Sequence, residues 1–189
     1  MGSQRGVETM FRTSYQSHLN LSSMADNKAN IMISINGIMI SVVIASISPK
    51  IDSNPWLLVP TGVLLLGCAI SMVYAILAAR PRVTHRRVSL EDVESNRSNI
   101  LFFGNFVGMP EEEFVSGLRS LLENTDRLYT NMMRDIYGLG QVLQRKYTLL
   151  RTSYTAFMVA LILSVLLFLG VYMGVVGEVG AVGTGSVVP

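Results

Sequence analysis

Hydrophobic and polar positions along this chain are sorted on the scale of whole helices. Three apolar runs, Ile31 to Ile47, Trp56 to Ala79 and Tyr154 to Val176, stand out from more polar surroundings. Each is within reach of the roughly 20 apolar residues that a helix needs to cross a hydrocarbon core. Pro49 closes the first run, and Lys50 to Pro55 reads as a tight turn built on Asp52, Ser53, Asn54 and Pro55. Trp56 follows where an interfacial aromatic belongs. Pro60 falls in the first turns of the second helix, where proline is tolerated, and Pro81 stops that helix at Ala79. Ahead of the first run, Val7, Phe11, Ser14, His18 and Leu21 recur at spacings of three and four. They predict a helix that continues into the membrane, since no Pro or Gly lies between Leu19 and Ile31.

The segment between the second and third runs carries a different pattern. Val83 to Leu90 alternates briefly and reads as a strand or an extended linker, and Glu91 to Asn99 as loop or helix. Ile100, Leu101, Phe102, Phe103 and Phe106 form an apolar knot that must be buried in a small core or against the membrane surface. Pro110 followed by Glu111, Glu112 and Glu113 predicts a helix start, with Pro at the first helical position and acids favoured by the dipole. From Phe114 through Leu118, Leu121, Thr125, Leu128, Met132, Ile136, Leu139, Leu143, Tyr147 and Leu150 to Tyr154, a seam recurs at three- and four-residue intervals. It predicts one long helix leading into the third membrane helix. Gly138 and Gly140 are its weak point, and a break or kink is expected there. The Gly/Val-rich stretch from Gly174 onward reads as a disordered end.

Charge orients this pattern. Arg5, Arg12 and Lys28 precede or open the first run, and eleven Lys/Arg residues from Arg80 to Arg151 separate the second and third. The link after the first run holds only Lys50, and none follows the third. The positive-inside rule then puts the N-terminus and the middle segment in the cytoplasm and the C-terminus outside. The expected fold is an all-α integral membrane protein with three transmembrane helices and a mostly helical cytoplasmic segment between the second and third. Its parts are a cytoplasmic N-terminal helix (1–27), a transmembrane hairpin (28–79), the cytoplasmic segment (80–153), the third membrane helix (154–176) and a disordered periplasmic tail (177–189).

Composition removes several function classes. A formal net charge of +2, without a Lys/Arg block that tracks phosphates, argues against nucleic acid. The cluster Arg80, Arg82, Arg86 and Arg87 follows a helix end, where an anionic leaflet attracts it. The one cysteine, Cys68, lies within the second run, so no intrachain disulfide is expected. His18 and His85 have no second ligand at metal spacing, and neither metal nor cofactor is expected. No nucleophile elbow, Walker loop or H-E-x-x-H motif is present, so the chain reads as a non-enzyme. Glu111 to Glu113 reads as a helix-start run rather than a catalytic group.

The first membrane helix is more suggestive. At about 100° per residue, Asn27, Asn30, Ser34, Gly37, Ser41 and Ser48 share one face, with Asn36 almost opposite. A small, polar stripe permits close helix approach and interhelical hydrogen bonds. It packs against the other two helices or against a copy of itself, or it lines a water-filled path once several chains assemble. Asp26 and Lys28 flank its entry as an interfacial anchor pair or a gate. Asn36 requires a hydrogen-bond partner if it sits at mid-bilayer depth.

Two local patterns resemble the transmembrane effector family of the bacterial cyclic-pyrimidine (Pycsar) antiphage systems. One is Ala25-Asp26-Asn27-Lys28-Ala29-Asn30 leading straight into a membrane helix. The other is Asn99-Ile100-Leu101-Phe102-Phe103-Gly104-Asn105-Phe106, ahead of an acidic helix start and of Lys146-Tyr147. The resemblance covers roughly residues 20 to 175. It implies a non-enzymatic effector in the bacterial inner membrane, acting with a companion cyclase that makes cCMP or cUMP. The implied response is homo-oligomerisation, loss of membrane integrity and abortive infection. No cyclic-nucleotide-binding β-roll is recognisable. A bound nucleotide needs a guanidinium or helix N-terminus for its phosphate and an aromatic or amide for its base. Arg86, Arg87, Arg97, Asn99 and Phe102 or Phe103 are the candidates, with Arg97 and Asn99 the preferred pair. The competing readings are a constitutive scaffold that recruits a soluble partner through the long cytoplasmic helix, and a small channel or transporter, which the lack of membrane-embedded charge disfavours.

Overall fold

A computed structural model describes residues 4–47, 55–81, 92 and 99–184. Every regular element among them is helical. They are α1 (Gln4–Ile47), a 3-10 turn (Pro55–Leu57), α2 (Leu58–Ala79), the single turn α3 (Phe103–Phe106), α4 (Glu111–Leu122) and α5 (Thr125–Thr184). Three of these helices are long and apolar enough to cross a membrane. α1 runs unbroken for 44 residues, in keeping with the absence of helix breakers ahead of its apolar run. α2 ends at Ala79, where Pro81 forbids continuation. The stretches Val83 to Leu90, most of Glu91 to Asn99 and the turn at Lys50 to Asn54 lie outside the described residues.

The chain divides into two compact units, Asp26–Ala79 with Thr148–Pro189, and Met1–Ala25 with Arg80–Tyr147. In the first, mostly small side chains face inward on all three helices. Ala29, Met32 and Asn36 on α1, Gly67, Ser71, Ala75 and Ala78 on α2, and Ser153, Ala160 and Ser164 on α5 are buried. Lipid tails are as apolar as a leucine side chain, so helices in a bilayer associate through close packing and hydrogen bonds, which small residues permit. The closest approach is at Gly67, where an added Cβ would overlap the Cβ of Ala160. Nearby, Ser164 donates its hydroxyl to the carbonyl of Pro60 at 2.8 Å.

The second unit holds the apolar knot. Ile100 and Leu121 form its buried centre, packed by Leu101, Phe106, Met109, Phe114, Leu118 and Leu128. Phe11 of α1 stacks on Tyr129 of α5, with ring centroids 5.9 Å apart. Lys146 donates to the hydroxyl of Ser22 at 3.0 Å.

Four expectations need correction. The long seam is not one helix: it breaks at Glu123 and Asn124, because the Asn124 carboxamide oxygen accepts the Arg127 backbone N–H at 3.1 Å and starts α5 afresh. Pro110 precedes the first helical residue rather than occupying it. The helix passes through Gly138 and Gly140 without a break. An added Cβ at Gly138 would meet the Phe102 ring at 3.8 Å and one at Gly140 would meet His18 at 3.7 Å, so these glycines sit against side chains of the same unit. Finally, α5 continues to Thr184, where a disordered stretch from 177 is expected from composition. No proline interrupts it before Pro189, and glycine weakens a helix without ending it.

Candidate functional site

The membrane unit contains a buried polar chain linking all three helices. The Asn36 amide donates to the Met32 carbonyl at 2.8 Å and to the Ser71 hydroxyl at 2.9 Å. The Ser71 and Ser153 hydroxyl oxygens lie 3.0 Å apart, and Ser153 donates to the Ser71 carbonyl at 2.8 Å. With the Ser153 proton placed there, Ser71 donates to Ser153, and the chain has one direction. All three residues are fully buried. The Asn36 amide nitrogen thus has the partners its depth demands. Each such interhelical bond is worth about 0.6 kcal/mol, and up to about 1.7. Its carboxamide oxygen is buried with no hydrogen-bond partner among the described residues.

The opposite face of α1 is open. Asn30, Ser34 and Ser41 are exposed and Gly37 is partly covered, lying 3.9 Å from the Met72 methyl when given a Cβ. Within the stripe, Gly37 approaches α2 through Met72, while Asn30, Ser34 and Ser41 stay exposed. The other two helices of the chain take the face that carries Ala29, Met32 and Asn36. Ser41 turns its hydroxyl back to the Gly37 carbonyl at 2.9 Å. At the entry, Lys28 is exposed, and Asp26 is partly buried and engaged in a polar interaction.

Within the other unit, Asn99 is 8% exposed, and both ends of its amide are occupied. Its oxygen accepts the Leu101 N–H at 2.9 Å, an Asx turn, and its nitrogen donates to Asp135 at 3.3 Å. Asn105 in turn donates to the Asn99 carbonyl at 2.7 Å. Asn99 accordingly organises the start of the apolar knot. Arg86, Arg87 and Arg97 lie outside the described residues, as does the side chain of Phe103.

Asp135 also borders a cleft of about 470 Å³ that sequence reading did not anticipate. Phe11, Tyr15, Leu101, Met132 and Ile136 form its apolar walls, and Glu8, Arg12, Gln16 and Asp135 its polar ones. The signal for it was faint: Phe11 with Tyr15, and Arg12 with Gln16, are each four residues apart on one helix. Their meeting with Asp135 is a tertiary fact.

Burial pushes the Asp135 carboxyl above the ordinary range, and the hydrogen bond from Asn99 only partly offsets this. A raised folded-state pKa means that this residue favours folding below the ordinary carboxylate pKa, and that the contribution is lost as pH rises through the raised value. Asp135→Asn keeps an acceptor for Asn99 and removes the desolvated charge. The expected result is a gain of at most about 1 kcal/mol at neutral pH, limited by remaining water contact. The gain should shrink as pH falls towards 4. Thermal unfolding of both proteins across that range checks this.

The Pycsar effector protein domain matches residues 9–173. The chain belongs to the Pycsar effector family. No curated protein and no solved structure matches it significantly. The match spans all three apolar helices, the Asp26–Lys28 entry, the apolar knot and the Lys146-Tyr147 pair. This Pycsar effector is thereby placed among proteins of antiphage defence.

Proposed function

We propose that this Pycsar effector answers a cyclic pyrimidine mononucleotide, cCMP or cUMP from a companion cyclase, by assembling copies of itself in the bacterial inner membrane. Membrane integrity then fails and the infected cell dies before phage matures. The observation that carries the reading is the exposed Asn30–Ser34–Ser41 stripe on a helix whose opposite face already satisfies the packing of its own chain. A polar stripe facing lipid is unfavourable, and facing copies of itself or a water-filled path relieves this. A scaffold that only recruits a soluble partner has no use for such a stripe.

The basic residues put the N-terminus and the segment from Arg80 to Arg151 in the cytoplasm, where the nucleotide is made, and the C-terminus in the periplasm. Arg86, Arg87 and Arg97 supply guanidinium groups for its phosphate, with Asn99 anchoring the chain beside Arg97 and Phe103 available to the base. Asp26 and Lys28 act as the gate at the head of the stripe. Ligand with higher affinity for the assembled state shifts the population towards it. Equilibrium binding of labelled cCMP and cUMP to the purified protein tests the sensor. Arg97→Ala should weaken binding by about tenfold or more, the scale of a lost charge-assisted contact. Unchanged binding by that variant would remove Arg97 from the phosphate site.

A further inference from the structure

On one side of the membrane unit, α2 and α5 enclose a groove of about 750 Å³. Its floor is the Gly67–Ala160 contact, where two of the smallest residues bring the helices together. Its walls are large and apolar: Leu66, Ile70, Val159 and Leu163 are all exposed, Leu66 by 67%. One end differs. There Arg151, exposed, is the only charged side chain among the described residues that line the groove. The hydroxyls of Thr152 and Thr155 beside it donate back to the carbonyls of Thr148 and Arg151, at 3.1 and 2.9 Å. Their protons are committed, so the guanidinium is the donor that an anionic group meets.

We infer that this groove is a binding site for an anionic glycerophospholipid, with an acyl chain along the apolar walls and the phosphate on Arg151. Three observations agree on this occupant. Arg151 stands three residues before the apolar run that begins at Tyr154, which is the headgroup level of a bilayer. A long apolar trough ending in one cation matches a molecule with a long apolar tail and one anion, and an anionic leaflet attracts basic side chains at this depth. A second copy of the chain is a poorer occupant. Copies in one membrane share their orientation, so a symmetric contact through this face sets two Arg151 side chains opposite each other at one depth, and like charges there repel. The inference requires that the helices span the membrane and is independent of any nucleotide response.

The test uses the full chain in bilayers of phosphatidylcholine with a minority of phosphatidylglycerol, followed by gentle extraction and native mass spectrometry of retained lipid. The expected result is enrichment of phosphatidylglycerol on the protein by about fivefold over the bilayer, the factor that corresponds to one basic residue near an anionic surface. Arg151→Gln should reduce the bound lipid to the bilayer composition, and Arg151→Lys should retain part of the enrichment. Leu66→Trp, which fills the trough and leaves the charge, should also lose it. Circular dichroism confirms that the variants remain helical. Undiminished enrichment in Arg151→Gln, or none in the parent, overturns the inference. So does an oxidised dimer linked through Ile70→Cys at high lipid-to-protein ratio, since the groove is then an interface between copies.

Discussion

Gly67→Leu should dismantle the packing of α2 against α5. Even one added carbon at this position overlaps Ala160, and a leucine adds four, so the helices must separate. Separation also breaks the Ser71–Ser153 hydrogen bonds, which lie one turn away. Overpacking costs about 1–3 kcal/mol, and the lost interhelical bonds add about 0.6 kcal/mol each. The combined loss of about 3 kcal/mol corresponds to roughly 6–12 °C in thermal midpoint for a chain of this size. Gly138→Ala is the control. Its Cβ would rest at ordinary contact distance from Phe102, and alanine is the better helix former by about 0.8–1 kcal/mol. That variant should be as stable as the parent or more so. Thermal unfolding in one detergent compares all three. Equal midpoints for the parent and Gly67→Leu would show that the two helices do not meet as described.

Asn30→Leu combined with Ser34→Leu should abolish membrane damage while the protein still inserts. Both positions are exposed, so neither substitution disturbs the buried face with Asn36, and both raise the hydrophobicity of the span. What they remove is the capacity for hydrogen bonds to a second copy or to water. Two interhelical bonds at about 0.6–1 kcal/mol each amount to roughly tenfold in association per interface. An assembly of several interfaces loses more. Cell survival on induction, beside membrane fractionation of the variant, reads this out. Toxicity equal to that of the parent would remove the stripe from the mechanism and leave a role elsewhere on the chain.

The two variants also mark where the sequence is legible and where it is not. The apolar runs, the continuity of α1 and the stop before Pro81 are properties of local composition, and each is visible in consecutive residues. So is the buried knot at Ile100 to Phe106, since so many large apolar side chains cannot remain in water. The inward face of α1 is not local. Asn30, Ser34 and Ser41 on one side and Ala29, Asn36 and the small residues near them on the other are comparable as packing surfaces. The choice is made by Ser71 and Ser153, which lie 35 and 117 positions further along. Small residues at four-residue spacing, Gly67-Ser71-Ala75 on α2, were the available clue. The break at Asn124 was masked because the apolar interval from Leu121 to Thr125 and Leu128 continues across it, while a single capping side chain decides the outcome. Asn99 was visible as a member of a motif, but its commitment to Asp135 and Leu101 depends on how the chain folds back. The cleft beside Asp135 draws walls from α1, α5 and the segment between, and no local pattern announces such a meeting.

The central claim, that one chain both receives the nucleotide signal and breaches the membrane, is tested most directly by dye release from liposomes carrying the purified protein. The liposomes are challenged with cCMP, cUMP and the purine cyclic nucleotides. Release triggered by one cyclic pyrimidine, and by neither purine, is the predicted result. Silence with every nucleotide from protein shown to be inserted would contradict it.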